Sequence, residues 1–306
     1  MADELAFIAG LRALPLHPGA RGLTDDAAVL EVGGETLVLT HDAMAEGVHY
    51  LAHADPNADM ADVAWKLVAS NLSDLAAKGA EPVGVLLGHV LGPKTDDNDD
   101  ARFLAGLEDV LTHYNVPLLG GDTIAAKGPR TLGLTAIGRA THTPVPSRAG
   151  AQPADQLYVN GQLGAAMLGY ETLRDGTGDG GAADPSAYLR PMARLAEGIA
   201  LAPQVTAMMD ISDGLLLDAF RMAEASGVTL ALDSALVPCA VPASRRQDAL
   251  RWGDDYELLF ALPAGIEPAI PATRIGEALA RGGAPLVLDG EALSDAAGLG
   301  YQHQAR

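Results

Sequence analysis

Cysteine is all but missing from this sequence. Cys239 is the only one in 306 residues, which excludes an intramolecular disulfide and any multi-cysteine zinc site. A reducing, cytoplasmic setting is expected. Aromatic residues are also scarce, at 4% in a chain that is 48% hydrophobic, so the core must be built from Leu, Val, Ile and Ala. Basic residues number 20 against 40 acidic ones, for a formal net charge of −20. That balance argues against nucleic acid or an anionic membrane as partner, since both need Lys/Arg patches. No apolar run approaches the ~18 residues of a membrane span. The opening Met-Ala-Asp-Glu-Leu-Ala carries acid where a secretory signal carries basic residues. There is no G-x-x-x-x-G-K-[ST] loop and no protein-kinase signature set.

What the chain does have is aspartate in short polar turns beside apolar runs. Four segments stand out: Asp25-Asp26-Ala27-Ala28, Gly120-Gly121-Asp122-Thr123, Asp210-Ile211-Ser212-Asp213-Gly214 and Gly253-Asp254-Asp255-Tyr256-Glu257. Carboxylates gathered from distant segments repel one another unless a cation stands between them. Mg²⁺, a hard ion that takes oxygen ligands and substrate phosphates, fits that role. The pattern therefore points to phosphoryl chemistry run by metal.

Apolar spacing predicts strands at 37–40, 83–90, 116–119 and 131–137, and helices at 62–78 and 100–114. Beyond residue 150, strands at 156–159, 205–209, 228–232 and 258–262 accompany a helix at 215–225. The class is mixed α/β. Pro144, Pro146, Gly150 and Pro153 interrupt the pattern, which suggests domains at 1–140 and 150–306 joined by a linker at 141–149. Residues 175–185, rich in Gly and Asp, read as a surface loop.

Each motif has a plain reading beside the functional one. Lys66, Ser70, Asp74 and Lys78 share a helix face at i, i+4 spacing; a salt-bridged polar stripe explains them, and so does a site, with Asn71 alongside favouring the site. Gly120-Gly121-Asp122 is either a tight turn or a place where backbone N–H groups approach a phosphate. Asp210 to Gly214 joins a strand to a helix, where one polar cap suffices and three polar side chains stand. His49 alone reads as structural.

In order and over nearly the whole chain, the strings Asp25–Leu30, Asp42–Tyr50, Asn71–Ala77, Gly120–Thr123, Arg148–Ala151, Asp210–Leu215, Gly253–Leu258 and Gly300–His303 closely resemble the thiamine-monophosphate kinase family of the aminoimidazole ribonucleotide synthetase superfamily. The resemblance implies ATP-dependent phosphorylation of thiamine phosphate with several Mg²⁺ ions. It implies metal ligands at Asp26, Thr40, Asp42, Asp74, Asp122, Asp210 and Asp213, with Asp42 and Asp122 central to catalysis. Gly121, Asp122, Arg148 and Ser212 are then nucleotide contacts, and His49, Asp254 and Tyr301 contacts to thiamine phosphate. It further implies an N-terminal sheet that pairs with its copy in a homodimer, and a C-terminal α/β domain across a cleft. Departures from the pattern include Thr24 for Gly, His41 for Thr, Lys78 for Met and Asp254 for Glu. The alternatives are another ATP-dependent enzyme of the superfamily, or a non-catalytic scaffold that binds divalent cations.

Overall fold

Two β-sheets with helices packed against them make up the chain, seen in a computed structural model that describes residues 4–52, 55, 57–93, 97–175 and 184–302. His303 and residues 176–183 of the expected surface loop lie outside the described residues. In chain order the elements are α1 (Glu4–Arg12), β1 (Ala28–Val32), β2 (Glu35–Ala45), α2 (Met60–Ala77), β3 (Ala80–Leu91), α3 (Asp97–Tyr114), β4 (Leu118–Ala125) and β5 (Thr131–Ala140). They continue with β6 (Gln156–Val159), α4 (Ala165–Asp175), α5 (Ser186–Leu189), α6 (Leu195–Leu201), β7 (Ala207–Asp210), α7 (Leu215–Ser226) and β8 (Val228–Leu232). Last come α8 (Arg246–Ala249), β9 (Leu258–Leu262), β10 (Thr273–Ala280), β11 (Leu286–Leu288) and β12 (Glu291–Leu293). The first sheet has the order β1-β2-β5-β3-β4, and the second the order β12-β11-β8-β10-β6-β9-β7. The class is mixed α/β, as the alternation of patterns suggested.

Helix α2 is the piece that places the site. Asp59 caps it by accepting the Ala61 N–H at 2.9 Å, and Gly79 ends it in the left-handed region at φ 57°. Val63, Leu67, Val68, Leu72 and Leu75 pack into the core of the first sheet. Each is worth about 2 kcal/mol of apolar burial. The opposite face does not meet solvent. It meets β7 and α6, and Gly198 of α6 comes so close that an added Cβ would lie 1.9 Å from the Ala76 carbonyl. The polar stripe of α2 is therefore interior: Lys66, Ser70, Asp74 and Lys78 are all buried.

Two strands run further than the apolar pattern suggests. β2 passes the expected end at Thr40 and continues to Ala45, so Asp42 lies inside the strand, opposite Leu134 of β5. β1 accompanies β2 only as far as Leu39. The Asp42 N–H beyond it goes to Asn71 Oδ1 at 3.0 Å, which is why an amide sits beside the stripe of α2. β4 likewise carries Gly120-Gly121-Asp122-Thr123 as strand rather than as a turn. Gly121 is needed there for a packing reason: it faces Leu87 of β3, and a Cβ would stand 1.9 Å from the Leu87 carbonyl oxygen. β4 is the edge of its sheet and is exposed at every position.

Candidate active site

Three aspartates meet between the sheets. Asp26 comes from the loop before β1, Asp74 from α2, and Asp210 from the last residue of β7; one carboxylate oxygen from each lies within 4.8 Å of the others. Asp74 accepts a short hydrogen bond from the Thr40 hydroxyl of β2, and Asp210 accepts one from Ser73 at 2.7 Å. Asp26 is held differently. Its Oδ2 meets Lys78 Nζ at 2.6 Å, and its Oδ1 pairs with the Arg148 guanidinium. Asp25 beside it accepts from Lys78 at 2.6 Å, Arg21 at 2.6 Å and Ser147 at 2.7 Å.

These environments push the carboxyl groups apart in acidity. Asp74 is raised well above the usual carboxylate range by loss of water, then by Asp42, Asp210 and Asp26. Asp210 is pushed up to about 8, chiefly by burial and next by Asp26. Asp42 rises to about 6 through burial; His41 opposes the rise, and Asp213 and Asp26 add to it. Asp25 goes the other way. Burial alone would raise it, but Lys78, Ser147 and Arg21 together hold it below its ordinary value. A set of oxygen donors at such spacing, reluctant to ionise together, is what a hard divalent cation would relieve. The residues present fit Mg²⁺.

A cleft of about 410 Å³ adjoins this group, and its lining includes Asp42, His49, Ser212, Asp213, Asp254 and Tyr301. Part of its lining is aromatic: Tyr170, Tyr188 and Trp252, with Tyr170 5.1 Å from Tyr188 and 5.4 Å from Trp252 between ring centroids. In a chain so poor in aromatics this is a concentration. Lys66 also lines the cleft, bonded to Asp254 at 2.8 Å and set 3.8 Å from the Tyr188 ring centroid.

The loop carrying Asp254 is fastened along its backbone. The N–H groups of Asp254 and Tyr256 donate to the carbonyls of Ser212 and Ile211 at 2.9 and 2.8 Å. Asp254 and Tyr256 themselves sit at φ 65° and 52°, strained values for side-chain-bearing residues that only such anchoring sustains. The next residue, Glu257, is buried and gripped by Arg194 through both oxygens.

The residues expected from sequence thus fall into three groups. Asp26, Thr40, Asp74 and Asp210 come together with Asp42 close by. His49, Ser212, Asp213, Asp254 and Tyr301 face the neighbouring cleft, with Asp213 paired to Arg221. Gly121 and Asp122 do not join either group within the chain. Asp42, Leu134, Leu87 and Gly121 form one row across β2, β5, β3 and β4, so three strand spacings, about 14 Å, separate Gly121 from Asp42. Arg148 is engaged with Asp26 in place of an outward-facing contact. Sequence reasoning missed the aromatic lining, Ser73 and the buried role of Lys78. The aromatics' rarity was a usable signal. Ser73 lies inside the Asn71–Ala77 string and Lys78 stands where the family pattern has Met, and these were the signals that could have marked them.

The chain matches the family model "AIR synthase related protein, N-terminal domain" over residues 24–140 and "AIR synthase related protein, C-terminal domain" over residues 152–284. It is 35% identical over 293 residues to thiamine-monophosphate kinase of Escherichia coli K12, covering 91% of this chain and 86% of that one. Among solved structures, AaThiL complexed with AMPPCP and TMP superposes with a TM-score of 0.84 at 26% identity, covering 99% of this chain and 97% of the other. Thiamine-monophosphate kinase from Stenotrophomonas maltophilia K279a gives a TM-score of 0.76 at 32% identity, over 94% and 96% of the two chains. With its two domain models, its relatives and its fold in agreement, the chain belongs to the thiamine-monophosphate kinase family of enzymes, among the AIR synthase related proteins.

Proposed function

We propose that the protein transfers the terminal phosphoryl group of ATP to thiamine phosphate, giving thiamine diphosphate, at the junction of the aspartate group and the aromatic cleft. The observation that carries this reading is that junction itself: carboxylates suited to a divalent cation beside a cleft whose lining includes aromatic rings and an acidic residue, Asp254. The fold match to a structure holding AMPPCP and TMP supports it.

Asp26, Asp74 and Asp210, with Asp42 and Thr40, are the residues that would hold Mg²⁺, which when bound neutralises phosphate charge and fixes phosphate orientation. The remaining work falls to the chain. Tyr170, Tyr188 and Trp252 offer ring faces to the flat, cationic head of thiamine phosphate, while Asp254, fixed by Lys66 and the Tyr256 hydroxyl at 3.0 Å, sets its orientation with His49 and Tyr301. The nucleophile is a phosphate oxygen, whose second pKa of about 6 leaves it mostly ionised at neutral pH. No general base is then required, and placement in line is the main task. Ser212 and the amino end of α7 stand where an anion is favoured.

We further propose that residues 1–140 and 150–306 act as two domains and that β4 pairs with its copy in a homodimer. An eight-residue edge strand with Leu118, Leu119 and Ile124 about half exposed is the kind of edge that chains cover. In that assembly Gly121 and Asp122 would serve the partner's site, which accounts for their distance from Asp42 in their own chain. An assay coupling ADP release to added thiamine phosphate and Mg²⁺ tests the activity. Turnover that needs all three components supports it; Mg²⁺ binding without ATP turnover supports the scaffold alternative.

A further inference from the structure

Charge balance divides the aspartate group into two halves. Asp25 and Asp26 are met by protein cations: Lys78 Nζ lies 2.6 Å from an oxygen of each, Arg148 takes the second oxygen of Asp26, and Arg21 takes Asp25. Each oxygen of Asp26 thereby has a cationic partner. Asp74 and Asp210 are met by hydroxyls, from Thr40 and Ser73, and among the described residues no cationic side chain pairs with either.

Lys78 is the pivot of this division. It is fully buried at the C-terminal end of α2, and it also donates to the Met208 carbonyl at 3.3 Å. A buried ammonium is stable only where opposite charge surrounds it, and here two carboxylates and a carbonyl do so. We propose that Lys78 is a built-in cation that stands between Asp25 and Asp26 in place of a divalent ion, so that the chain holds one divalent ion fewer than its carboxylates could bind. This rests on the Mg²⁺ reading above and adds a positioning role for a residue of the chain: Lys78 balances the charge of Asp25 and Asp26, and leaves Asp26 to share an ion with Asp74 and Asp210 and not to take a further ion with Asp25.

The test is Mn²⁺ stoichiometry, followed by electron paramagnetic resonance of free ion during titration, on the full chain and on Lys78→Met, Lys78→Ala and Lys78→Arg. Methionine keeps the packing without the charge, alanine leaves room for a hydrated ion, and arginine keeps the charge. One additional ion per chain in Lys78→Ala or Lys78→Met, with the wild-type count retained in Lys78→Arg, is the expected result. Should the neutral variants be destabilised, Mn²⁺ must raise their melting temperature more than it raises that of the wild type. Folded neutral variants with the wild-type ion count, or unstable ones that Mn²⁺ fails to restore, overturn the proposal. Absence of Mn²⁺ binding even in the wild type would take the metal reading down with it, which separates the two failures.

Discussion

β4 and β7 each carry an aspartate from a glycine- or serine-bearing motif, and they lie at opposite extremes of exposure. All four residues of β7 are buried, and its Asp210 is pushed up to about 8 by lost hydration and neighbouring carboxylates. All eight residues of β4 are exposed, Asp122 among them. Both segments were chosen from sequence on the same chemical grounds. The difference shows that a motif supplies ligand types, while the packing of α2 between the sheets decides which ligands share a site within one chain. β4 lies at a sheet edge, so its aspartate can reach a site only if something covers that edge.

The largest expected effect is at the buried end of the comparison. Asp210→Asn and Asp74→Asn should each lower kcat by about 10²–10³-fold, the scale of losing one aligned electrostatic contact. Their melting temperatures at neutral pH should hold or rise, since asparagine replaces a buried carboxyl group that folding keeps from ionising. Large unfolding with activity retained in the folded fraction would reverse the functional assignment.

At the exposed end, if β4 pairs with its copy as proposed, the unaltered chain should sediment as a dimer, and Ile124→Asp should sediment as a monomer and lose most activity. Asp122→Asn should keep the dimer and lose activity. Mixing Asp122→Asn with Asp74→Asn sharpens the contrast: if Asp122 serves the partner's site, mixed dimers regain part of the wild-type rate. A mixture as inactive as its two components would return Asp122 to its own chain or to no role.

The smallest effect is expected at Ser73→Ala, which removes the hydroxyl on Asp210. Loss of such an outer partner weakens metal affinity by about 10–100-fold. A titration with Mn²⁺ reads this directly, and an unchanged affinity would leave Ser73 as a packing residue.

Much of this was legible beforehand. The apolar periodicity of α2, with Gly79 as its stop, gave the helix within two residues of its observed start and one of its end. Asp26, Asp74 and Asp210 stood out as surplus acid at element ends. Other features could not be read locally. Asp42 was expected just past a strand because apolar residues stop at Leu39; the strand continues because β5 pairs with it as far as Ala45, a partner some ninety residues away. Gly121 looked like a turn or phosphate glycine, but in β4 it relieves a close approach to Leu87. Lys78 looked like one member of a salt-bridged polar stripe. Its burial depends on Asp25 and Asp26, more than fifty residues earlier, and on a second sheet closing over α2.

Protonation offers the most direct test of the aspartate group as a magnesium site. In the folded chain Asp74 and Asp210 keep protons that the unfolded chain, with its ordinary carboxylate value of 3.8, has already released. What these two groups contribute to metal-free stability is therefore fully present below about pH 4 and is lost as pH rises, for Asp210 through about 8; Asp25, held low by its cations, contributes in the opposite sense. Mg²⁺ binding must expel those protons. Calorimetry of Mg²⁺ binding at pH 7, repeated in buffers of different ionisation enthalpy, counts them. Release of about one proton or more per chain, abolished in Asp210→Asn with Asp74→Asn, is the expected result; binding with no proton release at pH 7 would contradict the convergence of these buried carboxylates on the metal.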